Sequence, residues 1–281
     1  MTIIVGIICE DTIVIASDSQ TTAGNAKRCD TEKIVAVEFA NGEVMVAQSG
    51  CATYSSRAIE IFTDLARSVT ITNYRTVTEL AEQAMRQLRN EIRLQRNDCT
   101  MEELQEYVWR HELGCEFMIA YYFERKPYLY TLDMMMGIAD KVSSRYTAIG
   151  CGASLGTYLL EDFMPHQAGY SHSTAIAVCV VEIVKKHDAY CGGPTKVGIA
   201  YQFGSIGNPD SKFSLVYKMP SSEVDELSGI ALNAYEMARY ERSLKVLEKL
   251  IEKSERFTAK VDSELRNATI PPLESRGDKP S

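Results

Sequence analysis

Long apolar runs are missing from this sequence. A membrane-spanning helix needs roughly 18 or more consecutive apolar residues, and the longest candidate, residues 175–184, is interrupted by Glu182. A helical membrane span is therefore not expected. The N-terminus has no basic segment and no small-residue cleavage pattern, and Asp11 and Asp18 break its apolar stretch. It does not read as a secretory signal, and the expected location is the cytoplasm. No CxxC pair occurs, although there are eight cysteines: Cys9, Cys29, Cys51, Cys99, Cys115, Cys151, Cys179 and Cys191. In a long chain with no export signal these read as reduced, mostly buried thiols rather than a disulfide framework. Histidine is scarce. His111, His166, His172 and His187 show neither zinc-finger nor HExxH spacing, so no metal site is expected, and His166 and His172 read as loop residues. An excess of basic charge is also missing. With 30 Lys and Arg against 38 Asp and Glu, the formal net charge is -8, which argues against nucleic acid or an anionic membrane as a partner.

What is present is an ordinary globular composition, 45% hydrophobic and 24% charged, over 281 residues. Residues 2–9 and 12–17 are rich in β-branched side chains and flank the turn Glu10-Asp11. Residues 33–40 and 43–49 are apolar runs joined by Asn41-Gly42, a pair that favours a tight hairpin turn. A polar loop, 20–30, lies between these hairpins. Helical periodicity follows over 52–69. Thr76 with Glu79 reads as a capping box opening a helix to about residue 96, and Thr100 with Glu103 as a second one opening a shorter helix to about residue 111. Strands are expected over 117–123, 128–133 and 146–149, helices over 156–164 and 173–187, and a last hairpin over 196–203 and 213–218.

The order strands, helices, strands, helices, strands, with short turns between consecutive strands, implies antiparallel pairing. The expected fold is α+β, two antiparallel sheets with helices on their outer faces. Residues 1–220 form the expected main domain and 221–266 a C-terminal helical extension, read as one long amphipathic helix to about residue 260. Residues 267–281 are read as a disordered tail rich in Pro, Glu, Ser, Gly and Lys.

Five blocks stand out in order: Thr2-Ile3-Ile4-Val5-Gly6; Ser17-Asp18-Ser19 with the following Gln20-Thr21-Thr22-Ala23-Gly24-Asn25; Thr31-Glu32-Lys33-Ile34 with Gln48-Ser49-Gly50; Ala148-Ile149-Gly150-Cys151-Gly152; and His187-Asp188-Ala189-Tyr190-Cys191-Gly192-Gly193. Together, over about 200 residues, they resemble the proteasome β-type and HslV-like N-terminal nucleophile (Ntn) hydrolases. That resemblance implies a four-layer αββα sandwich and a threonine peptidase acting on peptides or proteins, with a catalytically weak or inactive scaffold subunit and an Ntn amidase acting on small amides as the alternatives. It further implies a homo-oligomeric ring and no cofactor, and it allows an ATP-dependent unfoldase as a partner.

A threonine hydroxyl is a poor nucleophile until a base takes its proton. A free α-amine, with a pKa of roughly 7.7–8.0, is such a base when the threonine stands first in the chain. By the resemblance Thr2, after loss of Met1, is the nucleophile. Lys33 then stabilises the alkoxide, Asp18 pairs with Lys33, and Gly50 offers an N–H to the oxyanion. Asp188 orients the N-terminal residue, and Cys151 and Cys191 stand where the family has serines. The substrate pocket is implied near Thr21, Thr31, Gln48 and Ala52. Taken singly, each of these residues has a plain structural reading: Asp18 as a turn former, Lys33 as a solvated strand edge, 188–194 as a helix stop. A competing motif is Gly152-Ala153-Ser154-Leu155-Gly156, which matches the nucleophile elbow of α/β-hydrolases. The required order of serine, acid, histidine and the parallel connections are not supplied by the rest of the chain, so Ser154 reads as a helix-start residue.

Overall fold

The computed structural model describes residues 2–23, 26–165, 168–203, 213–240 and 245–267. The first half runs β1 (Ile4–Ile8), β2 (Thr12–Ser17), β3 (Thr21–Ala23), β4 (Ala26–Arg28), β5 (Ile34–Phe39), β6 (Gly42–Gly50), α1 (Ala52–Ala66), α2 (Arg75–Gln95) and α3 (Met101–Arg110). The second half runs β7 (Cys115–Phe123), β8 (Lys126–Asp133), β9 (Ala139–Lys141), β10 (Tyr146–Ile149), α4 (Ala153–Phe163), α5 (Tyr170–His187), β11 (Lys196–Phe203), β12 (Phe213–Lys218), α6 (Ser221–Tyr240) and α7 (Lys245–Asn267).

Two antiparallel five-stranded sheets result, ordered β10-β1-β2-β11-β12 and β5-β6-β7-β8-β9. Alternation along the strands sends one face of each sheet to the other sheet. Ile4, Ile13 and Ile15 meet Ile34, Met45, Met118 and Leu129 in that inner layer. The opposite face of the first sheet, with Val5, Ile7, Val14 and Ala16, packs on α4, α5 and α6. The opposite face of the second, with Val46, Phe117, Ile119 and Tyr121, packs on α1, α2 and α3. The expected four-layer αββα sandwich is what forms. The sheets approach closely at Gly6, where a Cβ would lie 2.5 Å from Met118 Sδ.

Several local expectations are corrected. The β5–β6 turn falls on Ala40 and Asn41, with Phe39 paired to Gly42, and neither Asn41 nor Gly42 takes a positive φ. Asn41 is instead held from outside the hairpin: its side chain accepts from Ile71 N (2.8 Å) and donates to Ile71 O (3.1 Å). The left-handed turn is at Glu124-Arg125, φ 50° and 63°, closing β7 on β8. The Thr76/Glu79 capping box does not form, because the N-cap is Tyr74, two residues earlier, and Asn73 Oδ1 accepts from Arg75 N (2.7 Å) and Thr76 N (3.2 Å). The Thr100/Glu103 box does form. His172 lies in α5 rather than a loop, and His166 falls outside the described residues.

The single C-terminal helix is two helices, α6 and α7. Lys260 bonds Glu223 (2.9 Å) and Lys253 pairs with Glu226, so α7 runs back along α6. Ser254 and Thr258 of α7 also bond Ser171 at the start of α5. The tail from residue 268 lies outside the described residues.

Candidate active site

The β1–β2 register pairs Ile4 with Ser17, which sets Asp18 beside Ile3. Asp18 N donates to Ile3 O (3.2 Å), and Ile3 N donates to Asp18 Oδ1 (3.1 Å). Thr2 is thereby fixed at the mouth between the sheets. Lys33 precedes β5 in the other sheet, and its carbonyl accepts from Gln48 N (2.9 Å). Its side chain crosses to the first sheet, where Nζ lies 2.6 Å from Thr2 Oγ1 and 2.7 Å from Asp18 Oδ1. Asp18 Oδ2 accepts two more backbone N–H groups, Gly192 at 3.0 Å and Gln20 at 3.3 Å. All three side chains are buried: Thr2 is 3% exposed, Lys33 4% and Asp18 0%. A buried ammonium is tolerable only beside a compensating carboxylate that is itself hydrogen-bonded. Burial pulls Lys33 below the ordinary lysine value, and the Asp18 carboxylate opposes that pull.

A second cluster lies at the nitrogen of Thr2. Thr2 N donates to Cys151 Sγ (3.2 Å), and Cys151 Sγ lies 3.7 Å from Cys191 Sγ. Gly152 N donates to Thr2 O (3.2 Å). Asp188 caps the end of α5. Its Oδ1 accepts from Tyr190 N (2.8 Å), and its carboxylate lies within 4.8 Å of both sulfurs. The bond at Thr2 N thus goes to a thiol, with Asp188 one step behind. Within the thiol pair, Cys191 as hydrogen-bond donor holds Cys151 below the usual thiol value, while the Cys151 contact, with burial, pushes Cys191 up.

Gly50 ends β6 with φ +93°, and a Cβ there would sit 2.1 Å from Gly114 O, so no other residue fits. Gly50 is exposed at the strand-to-helix junction. Its neighbour Ser49 brings Oγ against Gly150, which packs so closely on Thr2 that a Cβ would lie 2.3 Å from Thr2 O. Of the implied pocket residues, Thr21 and Thr31 bond through their hydroxyls (2.8 Å). Gln48 Nε2 donates to Glu32 O (3.4 Å), its buried Oε1 has no hydrogen-bond partner among the described residues, and Ala52 opens α1 exposed. Ser154 is exposed on α4, and the glycines around it provide close packing, since Cβ atoms at Gly152 and Gly156 would meet Ile3 at 3.0 and 2.9 Å.

Three contributors were not foreseen. The Gly192 N–H holds Asp18. Gly150 makes the close approach to Thr2. Glu116, raised by burial, accepts from Gly150 N (3.2 Å). A signal existed only for Glu116, an acid inside the otherwise apolar strand β7.

The sequence matches the family model described as "Proteasome subunit" over residues 2–200, more than half its length and every residue of both clusters. The chain belongs to the proteasome-subunit family. Proteasome subunit beta 1 of Thermococcus onnurineus (strain NA1) is 24% identical over 188 residues, covering 67% of this chain and 82% of that protein. Among solved structures, Anbu from Hyphomicrobium sp. strain MC1 superposes with a TM-score of 0.62 at 12% identity, covering 85% of this chain and 97% of that one. Anbu (ancestral beta-subunit) from Yersinia bercovieri gives 0.60 at 12% identity, and the Anbu complex of Pseudomonas aeruginosa, a helical assembly, 0.59 at 15%; each covers 97% of this chain and 99% of the other. The likeness in fold therefore extends past the proteasome-subunit match into the C-terminal helices.

Proposed function

We propose that this proteasome-family chain is a threonine peptidase of the N-terminal nucleophile type, working through Thr2 once Met1 is removed. The observation that carries the reading is the buried Lys33 ammonium 2.6 Å from the Thr2 hydroxyl, held there by Asp18. A positive charge at that distance favours the alkoxide over the alcohol. It also disfavours a proton on the neighbouring amine, which keeps the amine available as a base. The freed Thr2 amine takes the hydroxyl proton, through a water, as the oxygen attacks the scissile carbonyl. It then returns that proton to the leaving amine. The Gly50 N–H stabilises the tetrahedral oxyanion. Cys151 Sγ accepts one hydrogen of the amine and leaves the lone pair for the proton. Cys191 and Asp188 support that sulfur.

Thr21, Thr31, Gln48 and Ala52 are uncharged, so the residue before the cut is not selected for being basic or acidic. The subunits assemble as a homo-oligomer around a shared chamber in the cytoplasm, fed with peptides or with proteins from an ATP-dependent unfoldase. A head-to-tail interface of this kind closes into a ring or continues as a helix according to its rotation. The test is to compare peptide hydrolysis by protein lacking Met1, verified by the mass of its N-terminal peptide, with protein carrying an uncleaved N-terminal tag. The tagged form should be inactive, because an amide nitrogen is not a base. Equal rates would overturn the mechanism. Inactivity of both forms would favour a scaffold subunit.

A further inference from the structure

The geometry points to a binding site for a thiophilic divalent cation of the zinc class, formed by Cys151, Cys191 and Asp188 and completed by the freed amine of Thr2. Two sulfurs bound to one tetrahedral ion at about 2.3 Å each stand about 3.7–3.8 Å apart. The Cys151 and Cys191 sulfurs are 3.7 Å apart before any ion is considered. An Asp188 oxygen lies within 4.8 Å of both, so a contraction of about an ångström brings it to the edge of a tetrahedron. The nitrogen of Thr2 already sits 3.2 Å from Cys151 Sγ. Two sulfurs, one carboxylate oxygen and one amine nitrogen are a donor set suited to zinc rather than to calcium or magnesium, which prefer all-oxygen shells.

The surroundings fit as well. Asp188 Oδ1 is held by Tyr190 N, which leaves the other oxygen for an ion and fixes the carboxylate's orientation. Cys191 is 4% exposed, whereas Cys151 is exposed and opens the path by which an ion enters. Binding releases the two thiol protons to solvent and leaves two thiolates on the ion. Sequence spacing could not reveal this site, because the two cysteines are 40 residues apart and meet only where the turn after α5 returns to the start of α4.

The consequence for activity rests on the peptidase reading: an amine bound to an ion has no lone pair to take the Thr2 proton, so the occupied site is shut. Occupancy itself does not rest on that reading and is measured separately. Reduced, metal-free protein should bind one zinc ion per chain by calorimetric titration. Cobalt in its place should show thiolate charge-transfer absorption and the visible bands of a tetrahedral complex. Cys191→Ser and the Cys151→Ser/Cys191→Ser pair should each lose at least about 100-fold in affinity, the upper end of what removal of even an outer-shell partner costs. Their melting curves would check that both variants fold. Processed protein should bind more tightly than protein with a blocked N-terminus. In the processed wild type, zinc should inhibit hydrolysis and a chelator restore it. No binding by the reduced protein, or undiminished binding by the double serine variant, would overturn the site. Equal affinity with a blocked N-terminus would overturn the amine's part. Tight binding through the two sulfurs in a chain that hydrolyses nothing would keep the site and defeat the peptidase reading instead.

Discussion

Among the described residues, two lysine–carboxylate pairs with little exposure each share a threonine hydroxyl. At the mouth of the sandwich, Lys33 bonds Asp18 (2.7 Å) and Thr2 Oγ1 (2.6 Å). On α5, Lys185 bonds Glu182 (2.7 Å) and Thr195 Oγ1 (3.1 Å), and Thr195 in turn donates to Glu182 (2.5 Å). The residue types are the same; the wiring is not. Thr195 gives its proton to the carboxylate and closes the group on itself. Thr2 only accepts from its lysine, so its own proton points away from the pair. Asp18 takes three backbone N–H groups besides the lysine, which makes it an anchor rather than a proton acceptor. The α5 group is a satisfied structural knot, while the Lys33 group leaves the proton of the Thr2 hydroxyl uncommitted.

If that contrast is right, mutation should separate the groups. The largest effect belongs to Thr2→Ala, which should lower peptide turnover by at least about 10³-fold. Loss of one hydrogen bond to a charged group should cost about 1.5–3 kcal/mol of stability, visible as a modest fall in melting temperature. Thr2→Ser keeps hydroxyl and amine and should retain measurable activity. Full activity in Thr2→Ala would erase the distinction between the two groups.

Lys33→Met comes next. It should reduce turnover by about 10²–10³-fold, the range typical of a lost electrostatic stabiliser. It should also destabilise by about 3 kcal/mol, the low end for a broken buried pair, because Asp18 keeps its three backbone donors. Measured kcat together with urea unfolding decides it. An active, stable variant would place Lys33 among ordinary ion pairs.

The layers were legible because strand alternation and turn spacing depend on neighbours in sequence. Asp18 and Lys33 could be linked only through the resemblance, since each alone reads as a turn former or a solvated strand edge. What failed to show depended on distant partners. The Asn41-Gly42 turn shifted because Asn41 is held by Ile71, thirty residues on. The helix at 75 started early because Asn73 offered a better cap than Thr76. The C-terminal helix split and folded back because α5 and α6 offer α7 a surface to pack on, a matter of tertiary burial that periodicity cannot show. At the site, Gly192 serves Asp18 through its backbone, which leaves no trace in side-chain chemistry.

The pH profile sharpens the comparison with a smaller effect. Burial lowers the folded Lys33 value below 10.5, so between that lowered value and 10.5 the unfolded chain holds more protons than the folded one. Stability should therefore gain a contribution from Lys33 as pH rises through this window. Turnover needs the ammonium and should fall across the same window, with its alkaline limb below the ordinary lysine value. Activity and stability moving in opposite directions is the expected signature, read from kcat and denaturant midpoints on one pH series. Parallel loss of both would mean general alkaline unfolding and no special role for Lys33.

The smallest effect on activity is expected at the other group. Thr195 is 2% exposed, and its hydroxyl both accepts from Lys185 and donates to Glu182. Thr195→Val keeps the shape and removes the hydroxyl, leaving Glu182 with one donor fewer and Lys185 with one acceptor fewer. Buried polar groups left short of a partner cost about 1–3 kcal/mol. Lys185 and Glu182 still hold each other at 2.7 Å, and Lys185 keeps some access to water, so the lower end applies. A loss of about 1 kcal/mol should shift the melting temperature by a few degrees at this chain length. The kcat and KM of the folded protein should stay within twofold of the parent, because the bonds of Thr195 run to Lys185 and Glu182 and not to Thr2, Lys33 or Asp18. A Thr195→Val protein that folds but loses turnover as Thr2→Ala does would show that the two groups are coupled through the turn from Asp188 to Gly192, which joins α5 to the backbone donor on Asp18.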